Sequence, residues 1–301
     1  MNQRLAYFYT ALTILAWSTV STAFKISLRT LTPLGLLFIS SLSAVTVLGI
    51  ALYFRKPNLG SSEDPGPWKN LKMSLIPGLL NPFLYYLMLF AAYSLLRAQE
   101  AQVLNYTWAI VLSVMSVIFL GERFRMKDVL ALLLSFLGVI LISSKGSFSG
   151  LAFDNPLGSL LAVSTSIVWA SYWIINLKDQ RSPAVKLFYN FLIGLLAISL
   201  LVIGKSISGS CELFVNPAGS PLIGMIGAVY VGIFEMGLTF LLWFKALSLT
   251  ENTAKISNLI FVTPFVSLIF IQLILKEPIH PATLAGLILI VGSNLFQKLP
   301  R

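Results

Sequence analysis

Polar positions in this chain are gathered into short stretches between long apolar runs, and the runs lack the alternation that marks half-buried strands. A hydrocarbon layer about 30 Å thick takes roughly 20 apolar residues per helical crossing. On that measure ten spans are predicted, near 5–24, 32–54, 73–96, 101–120, 128–143, 157–177, 185–204, 221–244, 253–275 and 282–297. The longest linker, 55–72 (RKPNLGSSEDPGPWKNLK), carries the Pro, Gly, Ser and charge of a solvated loop, and the other sizeable one, 205–220, contains Cys211. The first apolar run follows Arg4 without a small-residue cleavage pattern before it, so it reads as a retained helix.

Composition narrows the class. Hydrophobic residues make up 57% of the chain and charged ones 11%, where a soluble domain carries about a quarter charged. The mean hydropathy is +0.86, and the apolar runs take up nearly the whole sequence, which leaves no room in it for a separate soluble domain. A net charge of +10 would raise nucleic-acid binding in a soluble protein, but in a membrane protein the side on which the charges fall is what matters. With the N-terminus taken as cytoplasmic, the inner segments hold 14 basic residues: Arg4, Arg55, Lys56, Lys69, Lys72, Arg123, Arg125, Lys127, Lys178, Arg181, Lys186, Lys255, Lys298 and Arg301. The outer ones hold 6: Lys25, Arg29, Arg97, Lys145, Lys205 and Lys276. That bias predicts both termini in the cytoplasm and accounts for the basic balance without nucleic acid.

An internal repeat decides the expected architecture. FLGERFRMKDVLALLLSFLGVILI (119–142) resembles LILKEPIHPATLAGLILIVGSNLF (273–296), which pairs Glu122 with Glu277; Trp17 likewise pairs with Trp169 and Pro33 with Pro183, at an offset of about 150–155 residues. Each half then holds five helices, 1–145 and 156–301, and an odd number makes the second enter the membrane from the opposite face. The expected fold is all-α: ten transmembrane helices as two inverted five-helix repeats around a central cavity, an arrangement that underlies alternating access.

Polar groups inside hydrocarbon cost several kcal/mol unless satisfied, so those within spans are expected to face the interior. Ser18, Ser21, Thr22 and Lys25 share a face of the first span, beside Trp17. Two readings stand for Lys25: a cation at the outer mouth of a cavity, or a lysine snorkelling at a helix end. Asn81, Tyr85 and Met88 share a face of the third span, which Pro82 can bend. Asn105 and Trp108 point one way in the fourth, and Thr165, Trp169, Tyr172 and Asn176 form a stripe in the sixth. Aromatic rings with a few amides suit a small organic solute, although ordinary helix packing uses the same residues. Trp243, Tyr53 and Phe54 near span ends are expected to be interfacial. Glu235, deep in the eighth span, corresponds under the offset to Asn81 and is a functional-site candidate by its depth alone. It is expected to contact solute or to exchange a proton between states, as an alternative to a buried structural hydrogen bond. In the ninth span Pro264 follows Asn258 and marks a broken helix. Glu122 and Glu277, at span ends, are expected to be structural and to pair with Arg123, Arg125 or Lys276.

The run Glu100, Asn105, Tyr106, Trp108 (E-x-x-x-x-N-Y-x-W), before a span ending in Gly-Glu, resembles the EamA-type members of the drug/metabolite transporter superfamily, and among them the bacterial aromatic amino acid exporters. Trp17-Ser18-Thr19 and Trp169-Ala170-x-Tyr172 fit the same family. The resemblance implies a basket-like cavity lined by spans 1, 3, 4, 6, 8 and 9, and export or exchange of amino acids or similar metabolites. Two departures stand out. Ala109 follows Trp108 where the family often has Pro, which leaves a kink there without its usual cause, and Glu235 is not a position the aromatic exporters are expected to share.

The expected solute-binding set is therefore Trp17, Ser21, Lys25, Asn81, Tyr85, Asn105, Trp108, Trp169, Tyr172, Glu235 and Asn258. No cofactor is called for, and lone Cys211 and lone His280 offer neither an internal disulfide nor a histidine-rich metal site. No H-E-x-x-H or C-x-x-C motif points to a membrane-embedded enzyme, and nothing indicates the oligomeric rings of a channel. The expectation is an inner-membrane carrier of a small organic solute, surrounded by lipid, proton-coupled through Glu235, and monomeric or weakly dimeric.

Overall fold

The computed structural model describes residues 2–55, 65–120, 126–146, 155–215, 221–250, 256 and 259–298. Among these the chain is helical, with no strand and one isolated bridge, Leu31 to Phe214. The helices are α1 (Gln3–Ser27), α2 (Pro33–Arg55), α3 (Pro67–Leu95), α4 in two pieces (Ala98–Asn105 and Trp108–Leu120), α5 (Met126–Ser143), α6 (Pro156–Lys178), α7 (Pro183–Ile207), α8 (Pro221–Leu249), α9 (Ile260–Leu275) and α10 (Pro281–Lys298). Five are long and apolar enough to cross a membrane: Pro33–Phe54, Pro67–Leu95, Pro156–Lys178, Pro183–Ile207 and Pro221–Leu249. The helix α1 is diluted by Thr10, Thr13, Ser18, Ser21 and Thr22, all buried against neighbouring helices; α4 is divided, and α5, α9 and α10 offer shorter apolar stretches.

Helix starts follow their local chemistry. Asn2 caps α1 by accepting from the Leu5 N–H (3.1 Å), and Asn155 caps α6 by accepting from the Gly158 N–H (2.8 Å). Proline opens α2, α3, α6, α7, α8 and α10, where its missing N–H is one that a helix start leaves unpaired anyway.

The interior helices are broken in two related pairs. In α3 the backbone at Asn81 is extended (φ −143°, ψ 118°) just before Pro82, within a wide turn over Leu79–Leu84. In α8 a wide turn covers Val231–Gly237 and contains Glu235. The helix α4 breaks at Tyr106–Thr107, and α9 opens with a tight turn, Ile260–Val262, before Pro264. No proline causes the α4 break. Side chains hold it instead: Thr107 Oγ donates to the Leu104 carbonyl (2.8 Å), and Ser166 Oγ on α6 donates to the Asn105 carbonyl (3.3 Å).

Packing repeats the pairing. The helix α1 packs on α8 and α9, and α6 packs on α3 and α4; α2 packs on α8, and α7 on α3; α2 meets α7, and α5 meets α10. Exchanging each helix for the one five places along maps these pairs onto one another. The last contact depends on two glycines, because a Cβ on Gly138 would stand 2.9 Å from the Gly286 carbonyl oxygen. Helices without a solvent-driven force between them associate through such close approaches of small residues.

Between α6 and α7, Arg181 is buried and bonds Asp179 (2.7 Å), the Asn70 carbonyl and Oδ1 (3.1 and 3.0 Å) and Ser74 Oγ (3.0 Å). It ties this turn to the start of α3. Burial alone would lift the Asp179 carboxyl, but the hydrogen bonds from Arg181 outweigh it and hold the group below its ordinary range.

Candidate functional site

Six helices, α1, α3, α4, α6, α8 and α9, surround a cavity of about 390 Å³. These are the helices that the family resemblance implies as its walls. Each presents aromatic or amide side chains to the cavity. Trp17 of α1 meets Phe240 (centroids 5.5 Å, 74°) and Trp243 (6.0 Å) of α8; Trp169 of α6 meets Tyr85 of α3 (4.8 Å) and Phe240 (6.0 Å). The result is a box of five aromatic side chains in one edge-on and three tilted contacts, at the centroid separations aromatic pairs prefer.

The polar groups of the box are bound largely to one another. Tyr85 donates its hydroxyl to Asn105 Oδ1 (3.3 Å), and Asn105 Nδ2 donates to Thr165 Oγ (2.8 Å). The hydroxyls of Ser21 and Tyr93 share a 2.8 Å hydrogen bond. Gln102 Nε2 donates to the Pro264 carbonyl (3.4 Å), and its Oε1 accepts from Ser267 (2.7 Å). Ser18 donates to the Thr263 carbonyl (3.1 Å), so the opening turns of α9 are satisfied by α1 and α4. Glu235 and Trp173 are exceptions: Tyr86 donates to Glu235 Oε1 (3.1 Å) while Oε2 is buried with no partner, and the Trp173 indole N–H is likewise buried without one. No Lys, Arg or His is among the described residues lining the cavity.

Of the residues expected from sequence, Trp17, Ser21, Tyr85, Asn105, Trp108, Trp169 and Glu235 line this cavity. Lys25, Asn81 and Tyr172 do not, and Asn258 lies outside the described residues, as do Glu122, Arg123 and Arg125. Asn81 leaves the face it would share with Tyr85 on a regular helix because its own backbone is extended; it is fully buried beside the Tyr172 hydroxyl, without a hydrogen bond of normal geometry. Tyr172 accepts from Asn190 Nδ2 (3.3 Å) and packs against Trp169 at a tilt (5.7 Å). Lys25 neither opens into the cavity nor snorkels freely: its Nζ donates to the carbonyls of Tyr93 (2.8 Å) and Leu96 (2.7 Å), at the C-terminal end of α3. Glu277 takes the Ala98 N–H (3.1 Å) at the start of α4, with no ion pair to Lys276 among the described residues.

Gln102, Trp173, Phe240 and Trp243 also line the cavity and were not among the expected site residues. Trp243 is not interfacial: it is 7% exposed and packs against Trp17, whereas Tyr53 and Phe54 are 78% and 77% exposed, as expected at an interface. The spacing Glu235, Thr239, Trp243 put it on the face of Glu235, and Gln102 stands one turn before Asn105.

Beyond Phe24 and Tyr93 a belt of contacts joins the ends of α1, α3 and α4 to the segment after α9. Besides the bonds of Lys25 and Glu277, Gln99 Nε2 donates to the Pro278 carbonyl (2.8 Å), and the His280 N–H donates to Gln99 Oε1 (3.0 Å). A second cavity of about 280 Å³ lies in this belt between Lys25, Arg29, Ser94 and Glu277.

The model of the EamA-like transporter family matches the chain twice, over residues 4–144 and 156–296. An uncharacterized transporter of Archaeoglobus fulgidus is 25% identical over 280 residues, 92% of each chain. The aromatic amino acid exporter YddG of Ancylobacter novellus is 25% identical over 232 residues, covering 76% of this chain and 75% of that one. A crystal structure of a protein 22% identical superposes with a TM-score of 0.65 over 99% of this chain and 97% of the other, which shows the common fold.

Proposed function

Because the chain belongs to the EamA-like transporter family, within the drug/metabolite transporter superfamily, we propose that it is a secondary carrier that moves a small organic solute bearing an amino group, an amino acid or a related metabolite, across the inner membrane. It works by alternating access, with export or exchange as the direction. In this reading ten helices span the membrane as two inverted halves, 1–145 and 156–301, with both termini in the cytoplasm. The exchange of packed pairs under a five-helix shift supports that arrangement, as does the double family match.

The observation that carries the function is the aromatic cavity enclosed by six broken or polar-faced helices, with one carboxyl in its wall. A pocket of this size, apolar with a few orienting polar groups, suits a compact organic solute. Trp17, Ser21, Tyr85, Asn105, Trp108, Trp169 and Glu235 form the binding set in this reading, and the Lys25–Gln99–Glu277 belt is the closed gate of one state. The name of the Ancylobacter relative supports amino acids as the solute class. Proton coupling enters through Glu235, the cavity's one described acidic group, which would take up and release a proton as the cavity changes sides.

Reconstituted vesicles preloaded with an unlabelled mixture of amino acids and amines test this reading by counterflow of labelled amino acids and amines. Saturable uptake that preloading accelerates is expected. Flux linear in concentration and indifferent to preloading would mean a passive pore and overturn the proposal.

A further inference from the structure

Resting on that reading, we infer that the cavity is built for an organic ammonium ion without a carboxylate, an arylalkylamine rather than a zwitterionic amino acid. Glu235 supplies the only described formal charge in the lining, and its Oε2 is buried with no hydrogen-bond donor and no ion-pair partner among the described residues. An ionised carboxylate in that position is costly until a cation arrives. The rings of Trp17, Tyr85, Trp169 and Phe240 stand around the same space. Ring faces attract ammonium groups, most strongly where water is excluded. Charge and rings therefore select the same ligand.

A zwitterion brings a second group, and the cavity has little to offer it. The amides of Gln102 and Asn105 and the hydroxyls of Ser21 and Tyr85 are already paired within the protein. The other donors are neutral, the Tyr106 hydroxyl and indole N–H groups such as that of Trp173, which is buried without a partner. They bear no positive charge to offset a desolvated carboxylate; of the cations at the closed end, Lys25 is spent on the carbonyls of α3 and Arg29 lies outside the lining. A carboxylate would also share the site with Glu235 and be repelled by it. Phenylalanine and phenethylamine differ by that one group, so the pair isolates the discrimination.

Quenching of tryptophan fluorescence in purified protein gives both affinities. We expect phenethylamine to bind roughly 10- to 100-fold more tightly than phenylalanine, the worth of one charge-assisted contact, and Glu235→Gln to lose that preference while keeping its ligand-free melting temperature. Should Glu235→Gln fail to accumulate, the wild-type comparison decides alone. Phenylalanine binding as tightly as phenethylamine would overturn the inference and leave the carrier reading standing, since counterflow of amino acids would persist. Binding of neither ligand, together with amino acid counterflow, would also overturn it; binding of neither with no counterflow would remove both readings.

Discussion

Gln99 offers the sharpest perturbation of the closed end. Its side chain makes two hydrogen bonds to the segment after α9, donating to the Pro278 carbonyl at 2.8 Å and accepting from the His280 N–H at 3.0 Å. Both join the start of α4 to the end of α9, helices that move apart if the cavity opens on this side. A net hydrogen bond contributes about 0.5–1.5 kcal/mol, so Gln99→Ala removes about 1–3 kcal/mol from the closed state. A shift of that size changes the ratio of the two states by about 5- to 150-fold. The reporter is Ser21→Cys in a Cys211→Ser background, because Ser21 lines the cavity just inside the belt. A membrane-impermeant thiol reagent applied to the face that carries Lys276 reads the open fraction as an alkylation rate. The rate is expected to rise at least fivefold with Gln99→Ala. A rate within twofold of the parent, in protein with an unchanged melting temperature, would refute the belt as a gate.

Other perturbations separate binding from folding. Trp169→Leu removes ring contacts to Tyr85 and Phe240; at about 1 kcal/mol for an aromatic pair, solute affinity by fluorescence titration should weaken about fivefold. Gly286→Leu forces a side chain into the approach to Gly138, and overpacking of this kind costs about 1–3 kcal/mol, read as a lower melting temperature in detergent. Arg181→Ala strands the buried Asp179 carboxylate and should cost about 3 kcal/mol or more by the same assay. Because the folded Asp179 carboxyl titrates below its unfolded value of about 3.9, the stability it contributes is present above that pH and lost as pH falls through the folded value. The melting temperature of the parent should therefore drop across that window, and that of Arg181→Ala should drop less.

Much of the helical order was legible because its cause is local. Apolar runs and opening prolines mark helix extents, and Pro82 and Pro264 announce two of the four breaks. The α4 break was not legible in this way. It depends on Ser166, 61 residues away, reaching the Asn105 carbonyl, and no spacing within the fourth span reports that contact. Asn105 and Trp108 both line the cavity although the α4 break falls between them, whereas Asn81 leaves the face of Tyr85 because the chain there is extended. Trp243 looked interfacial because it sits near the end of an apolar run; α8 carries a wide turn and runs to Leu249, so the residue falls inside the bundle. Lys25 and Glu277 drew attention as charges, yet each binds backbone groups at a helix end, a role that depends on which helix end is nearby rather than on the charge pattern.

The central claim is that two five-helix halves enter the membrane from opposite faces and share one cavity. Met126, at the start of α5, and Lys276, just after α9, are both exposed and stand at related places in the two halves. Met126→Cys and Lys276→Cys, each in a Cys211→Ser background, can be labelled from either side of sealed vesicles with an impermeant thiol reagent. Labelling from opposite sides, cytoplasmic for Met126→Cys and external for Lys276→Cys, is the predicted result. Labelling of both from one side would contradict the inverted halves and the carrier mechanism built on them.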